Sequence, residues 1–261
     1  MSAPKSGLFD LHGQVAVITG ATGGLGRSIV AVFVAHGATV LLADRDASTC
    51  QVLADALTAA GGVASSVSCD LSHRASAEAV VDTALQRYGR IDTLVCNAGI
   101  QGPAGPLTDV PDTDWDAVMA VNLKSAWWLC ARALPDMGKR GSGSVLLMAS
   151  IAGLRGNRAI GLYGLSKAAL TQMARNLAVE WGPCGVRVNA ISPGLIRTPL
   201  ANDLLVNEVF MARRLSLTPL RRVGQPHEVA GVAVMLASSA GGFITGQNIV
   251  IDGGTTIGDG S

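Results

Sequence analysis

Residues 15–26 read Val-Ala-Val-Ile-Thr-Gly-Ala-Thr-Gly-Gly-Leu-Gly. Five β-branched or small apolar residues, Val15 to Thr19, make a short strand without alternation, as a strand covered on both faces requires. Gly20 to Gly26 then turn the chain, and the apolar-periodic run Leu25 to His36 continues as a helix stopped by Gly37. A glycine-rich turn between strand and helix lets the backbone approach a pyrophosphate closely, and the helix start offers unpaired N–H groups and the positive end of its dipole. The same loop could serve only as a turn. Its context argues for more, because Asp44 closes the next strand candidate 18 residues beyond Gly26, where a carboxylate can accept from ribose hydroxyls.

The pattern repeats outward from this loop. Strand candidates fall at Val15 to Thr19, Thr39 to Ala43, Val63 to Cys69, Thr93 to Cys96, Ser144 to Met148, Arg187 to Ile191 and Asn248 to Ile251. Between them lie helical stretches such as Ala47 to Ala60, with Asp46 as its N-cap, and Ala75 to Tyr88 before Gly89. Alternating short apolar strands and crossover helices predict an α/β fold, a Rossmann-type doubly wound sheet of about seven parallel strands with helices on both faces. No linker, charge block or repeat divides the chain, so residues 1–261 are read as a single domain, frayed at 1–7 and 255–261.

Composition narrows the partners. Of 261 residues 49% are apolar, 32 are glycine and 15% are charged, which excludes a disordered chain. Twenty basic and 19 acidic residues leave a net charge of +1. That gives no field to recruit nucleic acid or an anionic membrane surface. The stretch Val229 to Ile251 is long enough to span a bilayer, but Ser238 to Gly242 and Gln247-Asn248 interrupt it, and it is read as a buried helix, a turn and a strand. Five cysteines without a C-x-x-C pair, Cys50, Cys69, Cys96, Cys130 and Cys184, are read as reduced core residues in a cytoplasmic protein. No metal site is expected.

A second constellation lies in the centre of the chain. Tyr163 and Lys167 stand at i and i+4, neighbours on one helix face, 13 residues after Ser150 at the end of a buried strand. Such a pair can be surface decoration. At a strand end in an open α/β sheet it can instead be a general acid/base, with the ammonium, and the positive charge of an oxidised nicotinamide nearby, expected to pull the phenol pKa down from about 10.

The spacing of the glycine loop, with Asn97-Ala98-Gly99 after the fourth strand and Tyr163-Gly164-Leu165-Ser166-Lys167, resembles the short-chain dehydrogenase/reductase family over nearly the whole chain. The resemblance implies a role for each matching residue. Gly20, Thr22, Gly24, Leu25 and Gly26 would hold the pyrophosphate, Asp44 and Arg45 the adenosine ribose, and Asp70 and Leu71 the adenine ring. Asn97, Ala98 and Gly99 would line the same site, and Pro193, Gly194, Ile196 and Thr198 would flank the nicotinamide carboxamide. Ser150 would hold the substrate oxygen, Tyr163 pass the proton, Lys167 orient the ribose, and Asn122 position a relaying water. Cys96 departs from the family, which usually has a second asparagine there.

The resemblance further implies hydride transfer between nicotinamide and a secondary alcohol or ketone. Asp44 accepts ribose hydroxyls and repels a 2′-phosphate, whereas Arg45 attracts one. Gly23 breaks the tie, because relatives using NADP often place a basic residue there. Two unit charges about 4 Å apart interact by roughly 4 kcal/mol at an effective dielectric of 20, so Asp44 should outweigh one exposed arginine and NAD is expected over NADP. Two alternatives stand beside this reading, an NADPH-dependent 3-oxoacyl-[acyl-carrier-protein] reductase and a non-catalytic dinucleotide-binding scaffold.

Residues of about 195–225 are expected to form a substrate lid, with Leu154, Ile160, Leu195, Leu204, Val209 and Phe210 lining an apolar pocket. The pairs Arg213-Arg214 and Arg221-Arg222 are read as solvated or helix-end charges in preference to contacts with an anionic substrate. Apolar helices around Trp127-Trp128 and Ala168 to Trp181 suit pairing between subunits, and a homotetramer is expected.

Overall fold

A computed structural model describes residues 7–258. Seven parallel strands form one sheet in the order β3-β2-β1-β4-β5-β6-β7. They are β1 (Val15–Thr19), β2 (Thr39–Asp44), β3 (Val63–Ser68), β4 (Thr93–Cys96), β5 (Gly143–Met148), β6 (Val186–Pro193) and β7 (Asn248–Ile251). Every pairing is parallel, from Val15 opposite Thr39 to Pro193 opposite Ile251. Strand order reverses between β1 and β4, and at such a reversal loops diverge to opposite faces and leave a crevice at the strand C-termini.

Each face is covered by helices that follow from the apolar spacing. One face carries α1 (Gly24–Ala35), α2 (Ala47–Ala59) and α9 (Pro226–Ala237), packed through Ile29, Phe33, Cys50, Ala54, Val229 and Ala233. The other carries α3 (Arg74–Tyr88), α5 (Ser125–Arg140) and α6 (Gly161–Trp181), packed through Val80, Leu129, Leu134, Leu170 and Ala174. Apart from Phe33 the buried side chains of both cores are aliphatic or sulfur-containing, and burying one large apolar side chain contributes about 1.5–3 kcal/mol. The interior strands β1 and β4 are buried at every residue, whereas β3, on the sheet edge, leaves Val63 58% exposed.

The helix signals act locally as expected. Asp46 caps α2 by accepting from the Thr49 amide at 3.0 Å, and Gly89 closes α3 in the left-handed region. The stretch from Val229 resolves into α9, a turn and β7, and no described helix is long and apolar enough to cross a membrane. Between α4 (Asp112–Met119) and α5 the backbone widens into a π-helical turn over Ala120–Lys124. Beyond β6 lie two short helices, α7 (Asn202–Leu205) and α8 (Glu208–Ser216), in the stretch read as a lid.

At the far end of the sheet from the crevice, Asp92 is 7% exposed and accepts from the Val15 amide at 2.9 Å, Arg90 at 2.6 Å and Arg140 at 3.1 Å. This ties the starts of β1 and β4 to the end of α5.

Two expectations need correction. Cys184 is exposed, unlike the other four cysteines, because it sits on the turn after α6. Residues 1–6 and 259–261 of the ends read as frayed lie outside the described residues. Of the rest, Thr255 is buried and donates to the Asp252 carbonyl at 2.7 Å, so the C-terminal segment is fastened at that point.

Candidate active site

The crevice at the β1–β4 reversal holds a cavity of about 640 Å³, within the usual range for a ligand site. Its floor is built by the glycine loop. Gly20 has φ +62°, and a side chain on Gly26 would place its Cβ 2.0 Å from the Gly20 carbonyl oxygen, so the loop folds back on itself with no room for a methyl group. Among the described residues, no side chain caps the start of α1. Its first N–H groups therefore open toward the cavity beside Thr22, Gly24, Leu25 and Gly26, an arrangement fitted to an anionic pyrophosphate.

Asp44 braces this loop. Its Oδ2 accepts from the Thr22 amide at 2.9 Å and the Thr22 hydroxyl at 2.8 Å, and its Oδ1 accepts from the Arg45 amide at 2.7 Å. Asn97 does the same on the β4 side, donating from Nδ2 to the carbonyl oxygens of Thr19 at 3.0 Å and Gly20 at 3.1 Å. Asp44, Arg45, Asp70 and Leu71 line one end of the cavity, and Pro193, Gly194, Ile196 and Thr198 the other. Ala98 and Gly99 lie between, where a Cβ on Gly99 would come within 3.2 Å of Lys167 Nζ and 3.3 Å of Asn122 Oδ1.

Ser150 follows β5 and lines the cavity, with Oγ accepting from the Ala152 amide at 3.1 Å. Tyr163 projects toward it from the first turn of α6 and shares a hydrogen bond with its hydroxyl. Lys167, one turn on, is 3% exposed; Nζ donates to the Met148 carbonyl at 2.7 Å and lies 5.5 Å from the centroid of the Tyr163 ring. Burial lowers the Lys167 pKa to about 8, against a smaller opposing effect of Cys96.

The expected lowering of the tyrosine pKa is not found in the chain by itself. Burial raises it and the Ser150 hydrogen bond only partly offsets this, while Lys167 Nζ lies over the ring.

Of the expected catalytic and cofactor-binding residues, Asn122 alone does not line the cavity. It is 1% exposed, accepts from the Ile100 amide at 2.8 Å and donates to the Ile100 carbonyl at 2.9 Å and Ser166 Oγ at 3.0 Å. Its side chain thus locks the segment after β4 to α6, and its position inside the π-helical turn disturbs the regular helical hydrogen bonding around it.

The substrate end differs from the expected pocket. Leu195 and Leu204 line the cavity, but Leu154, Ile160, Val209 and Phe210 do not; Val209 is 82% exposed. Ile100, Gln101, Val121, Leu200 and Ala201 take their place. None carries a local motif, because a side chain joins this wall only through the packing of separate loops.

A buried ammonium, a phenol and a hydroxyl thus converge on a crevice bordered by the glycine loop. Residues 20–256 match the family described as Enoyl-(Acyl carrier protein) reductase. Over 254 residues the chain is 38% identical to the oxidoreductase UcpA of Salmonella typhimurium, covering 95% of this chain and 96% of that protein. The chain belongs to the short-chain dehydrogenase/reductase family. It is accordingly an NAD(P)-dependent oxidoreductase.

Two solved relatives carry bound dinucleotide. A 7 alpha-hydroxysteroid dehydrogenase complexed with NADH and 7-oxo glycochenodeoxycholic acid is 34% identical with a TM-score of 0.90, covering 95% of this chain and 96% of that one. A gluconate 5-dehydrogenase from Burkholderia cenocepacia with NADP and tartrate is 31% identical with a TM-score of 0.92, covering 96% and 98%. In this family member the uncapped α1 start and the Asp44-braced loop fit a nicotinamide dinucleotide, which when bound supplies the hydride donor or acceptor.

Proposed function

We propose that the enzyme interconverts a secondary alcohol and a ketone with NAD preferred over NADP, using Tyr163 as general acid/base. The observation that carries this reading is the convergence of Ser150, Tyr163 and Lys167 on one end of the cavity. Ser150 holds the substrate oxygen by a hydrogen bond and keeps it beside the phenol. In reduction Tyr163 donates its O–H proton to that oxygen; in oxidation it accepts the proton back. Lys167, buried and cationic below its pKa of about 8, lies over the Tyr163 ring and, held by its donation to the Met148 carbonyl, orients the cofactor's ribose. Asn122 acts through position, fixing α6 relative to Gly99 and Ile100.

Asp44 supports the NAD preference. Its carboxylate is held in the cavity wall by Thr22, and Gly23 beside it adds no positive charge for a 2′-phosphate. The chain assembles as a homotetramer in the cytoplasm. Support for this lies in free thiols at all five cysteines and in exposed Trp127, Leu165 and Val179 on α5 and α6. Residues 195–225 form the substrate lid, and the cavity-lining Leu200 and Leu204 support that role.

A panel of secondary alcohols and ketones with NAD(H) and NADP(H), followed by nicotinamide absorbance, tests the proposal. Turnover with NAD(H) on simple alcohols or ketones is the expected result. Turnover confined to NADPH and 3-oxoacyl thioesters would replace it with the acyl-carrier reductase reading, and dinucleotide binding without any turnover with the scaffold reading.

A further inference from the structure

Of the side chains with nitrogen or oxygen that line the cavity, all but two have a hydrogen-bond partner among the described residues. The exceptions stand at opposite ends. Arg45 belongs to the dinucleotide end, and Gln101 to the substrate end. The wall around Gln101 is apolar, through Ile100, Val121, Leu195, Leu200 and Leu204. It is also uncharged, because the charged residues lining the cavity are Asp44, Arg45, Asp46 and Asp70 at the dinucleotide end and Lys167 at the catalytic floor. Gln101, half-buried, therefore presents the one unengaged polar group on that wall.

The backbone on both sides of Gln101 is held fast. Before it, Asn122 clamps Ile100 at both polar atoms, accepting from its amide at 2.8 Å and donating to its carbonyl at 2.9 Å. After it, Gly102 has φ +74°, and a Cβ there would lie 2.5 Å from Cγ2 of the buried Val118 on α4. Further on, the Gly105 amide donates to the Ala159 carbonyl at 2.9 Å, which ties the segment to the loop before α6. The chain also fixes how far Gln101 stands from the chemistry. A Cβ on Gly99 would lie 3.2 Å from Lys167 Nζ, and two residues of chain carry the backbone no more than about 7 Å beyond it. A side-chain amide on so rigid a support is positioned before any ligand arrives, which lowers the cost of ordering it on binding.

We propose that Gln101 is a specificity-determining residue that hydrogen-bonds a hydroxyl group of the substrate remote from the reacting carbon. A carboxamide both donates and accepts, and a hydroxyl is the small neutral group that answers both. A carboxylate would bring a charge against a wall with no cation to receive it, which is costly away from water. The substrate class that fits is an uncharged hydroxy ketone, or the corresponding diol, with an apolar body. Its reacting oxygen sits at Ser150 and Tyr163, its carbon chain lies along the leucines, and its second hydroxyl reaches Gln101.

The inference rests on the secondary alcohol and ketone reading and is tested so that the two can fail separately. Straight-chain methyl ketones with a terminal hydroxyl, in a series of increasing chain length, are reduced by wild type, Q101M and Q101N. Each is compared with the ketone in which a methyl group replaces the hydroxyl and with the oxo acid in which a carboxylate replaces it. The expected result is one chain length at which wild type prefers the hydroxy ketone to both counterparts in kcat/KM. Q101M, which keeps the length of the side chain and loses the amide, should lower the hydroxyl-to-methyl ratio about 3- to 10-fold, through KM. Q101N, whose amide is one methylene shorter, should keep a preference for the hydroxyl and move it to a ketone one carbon longer, a shift that a merely structural role would not produce. Methyl ketones or oxo acids preferred at every length by wild type, or a ratio untouched in Q101M, would overturn the role of Gln101 and leave the ketone reading standing. Bound dinucleotide with no turnover of any ketone in the series would overturn both.

Discussion

Lys167 Nζ, on α6, donates to the carbonyl oxygen of Met148, the last residue of β5, at 2.7 Å. A buried ammonium with a carbonyl partner and no acid is stabilised only in part, which is why its pKa falls to about 8. The sign of the pH dependence follows. Below about 8 Lys167 is charged, and above it the charge is lost. Tyr163, raised by burial, stays protonated through neutral pH and can donate. Ketone reduction is expected to hold its kcat/KM from neutral pH to just below 8 and then fall, while alcohol oxidation, which needs the deprotonated phenol, rises with pH. A pH series in both directions checks this, and in Lys167→Met the limb near pH 8 should vanish.

Tyr163→Phe removes the proton carried to and from the substrate oxygen while leaving the ring's packing. Turnover is expected to fall by about 10²- to 10⁴-fold. Dinucleotide affinity, measured by fluorescence titration, should change little. A variant retaining near-native turnover would show that another group moves the proton.

Asp44→Ala cuts both the brace on Thr22 and the acceptor proposed for the ribose. Each lost bond to a charged acceptor is worth about 1.5–3 kcal/mol. The KM for NAD should rise about tenfold or more, and the ratio of NADP to NAD use should rise with it as the repulsion of a 2′-phosphate is removed. An unchanged cofactor ratio would rule Asp44 out as the discriminating residue.

Gly26→Ala puts a methyl group 2.0 Å from the Gly20 carbonyl oxygen, against backbone that cannot rotate away. Loss of dinucleotide binding is expected, with stability lowered by about 1–3 kcal/mol, the usual cost of overpacking. Titration with NAD and a urea melt separate the two effects.

Asp92→Ala strips the Val15 amide and Arg140 of a buried acceptor far from the cavity. Breaking such a pair costs about 3 kcal/mol, or roughly 6–12 °C of melting temperature for a domain of this size. KM values should remain those of wild type, which distinguishes this scaffold bond from the bonds around Asp44.

The sequence determined what depends on neighbours along the chain. The strand-loop-helix spacing of residues 15–26, the placing of Asp44 at the end of β2, and the i, i+4 pairing of Tyr163 and Lys167 are set by period and by glycine, so seven strands and the glycine-loop end of the cavity were legible. Tertiary structure decided what depends on which loops pack together. It turned Val209 outward, brought Ile100 and Gln101 into the cavity wall, and took Asn122 out of it into hydrogen bonds with Ile100 and Ser166. It also decided burial: Arg213 and Arg214 are adjacent in sequence, yet the first is exposed and the second partly buried, and burial is the main cause that lowers the Arg214 pKa. Desolvation and Coulomb interaction act through space, between groups that sequence order keeps apart, and so the direction of the Tyr163 and Arg214 shifts exists only once the chain has folded.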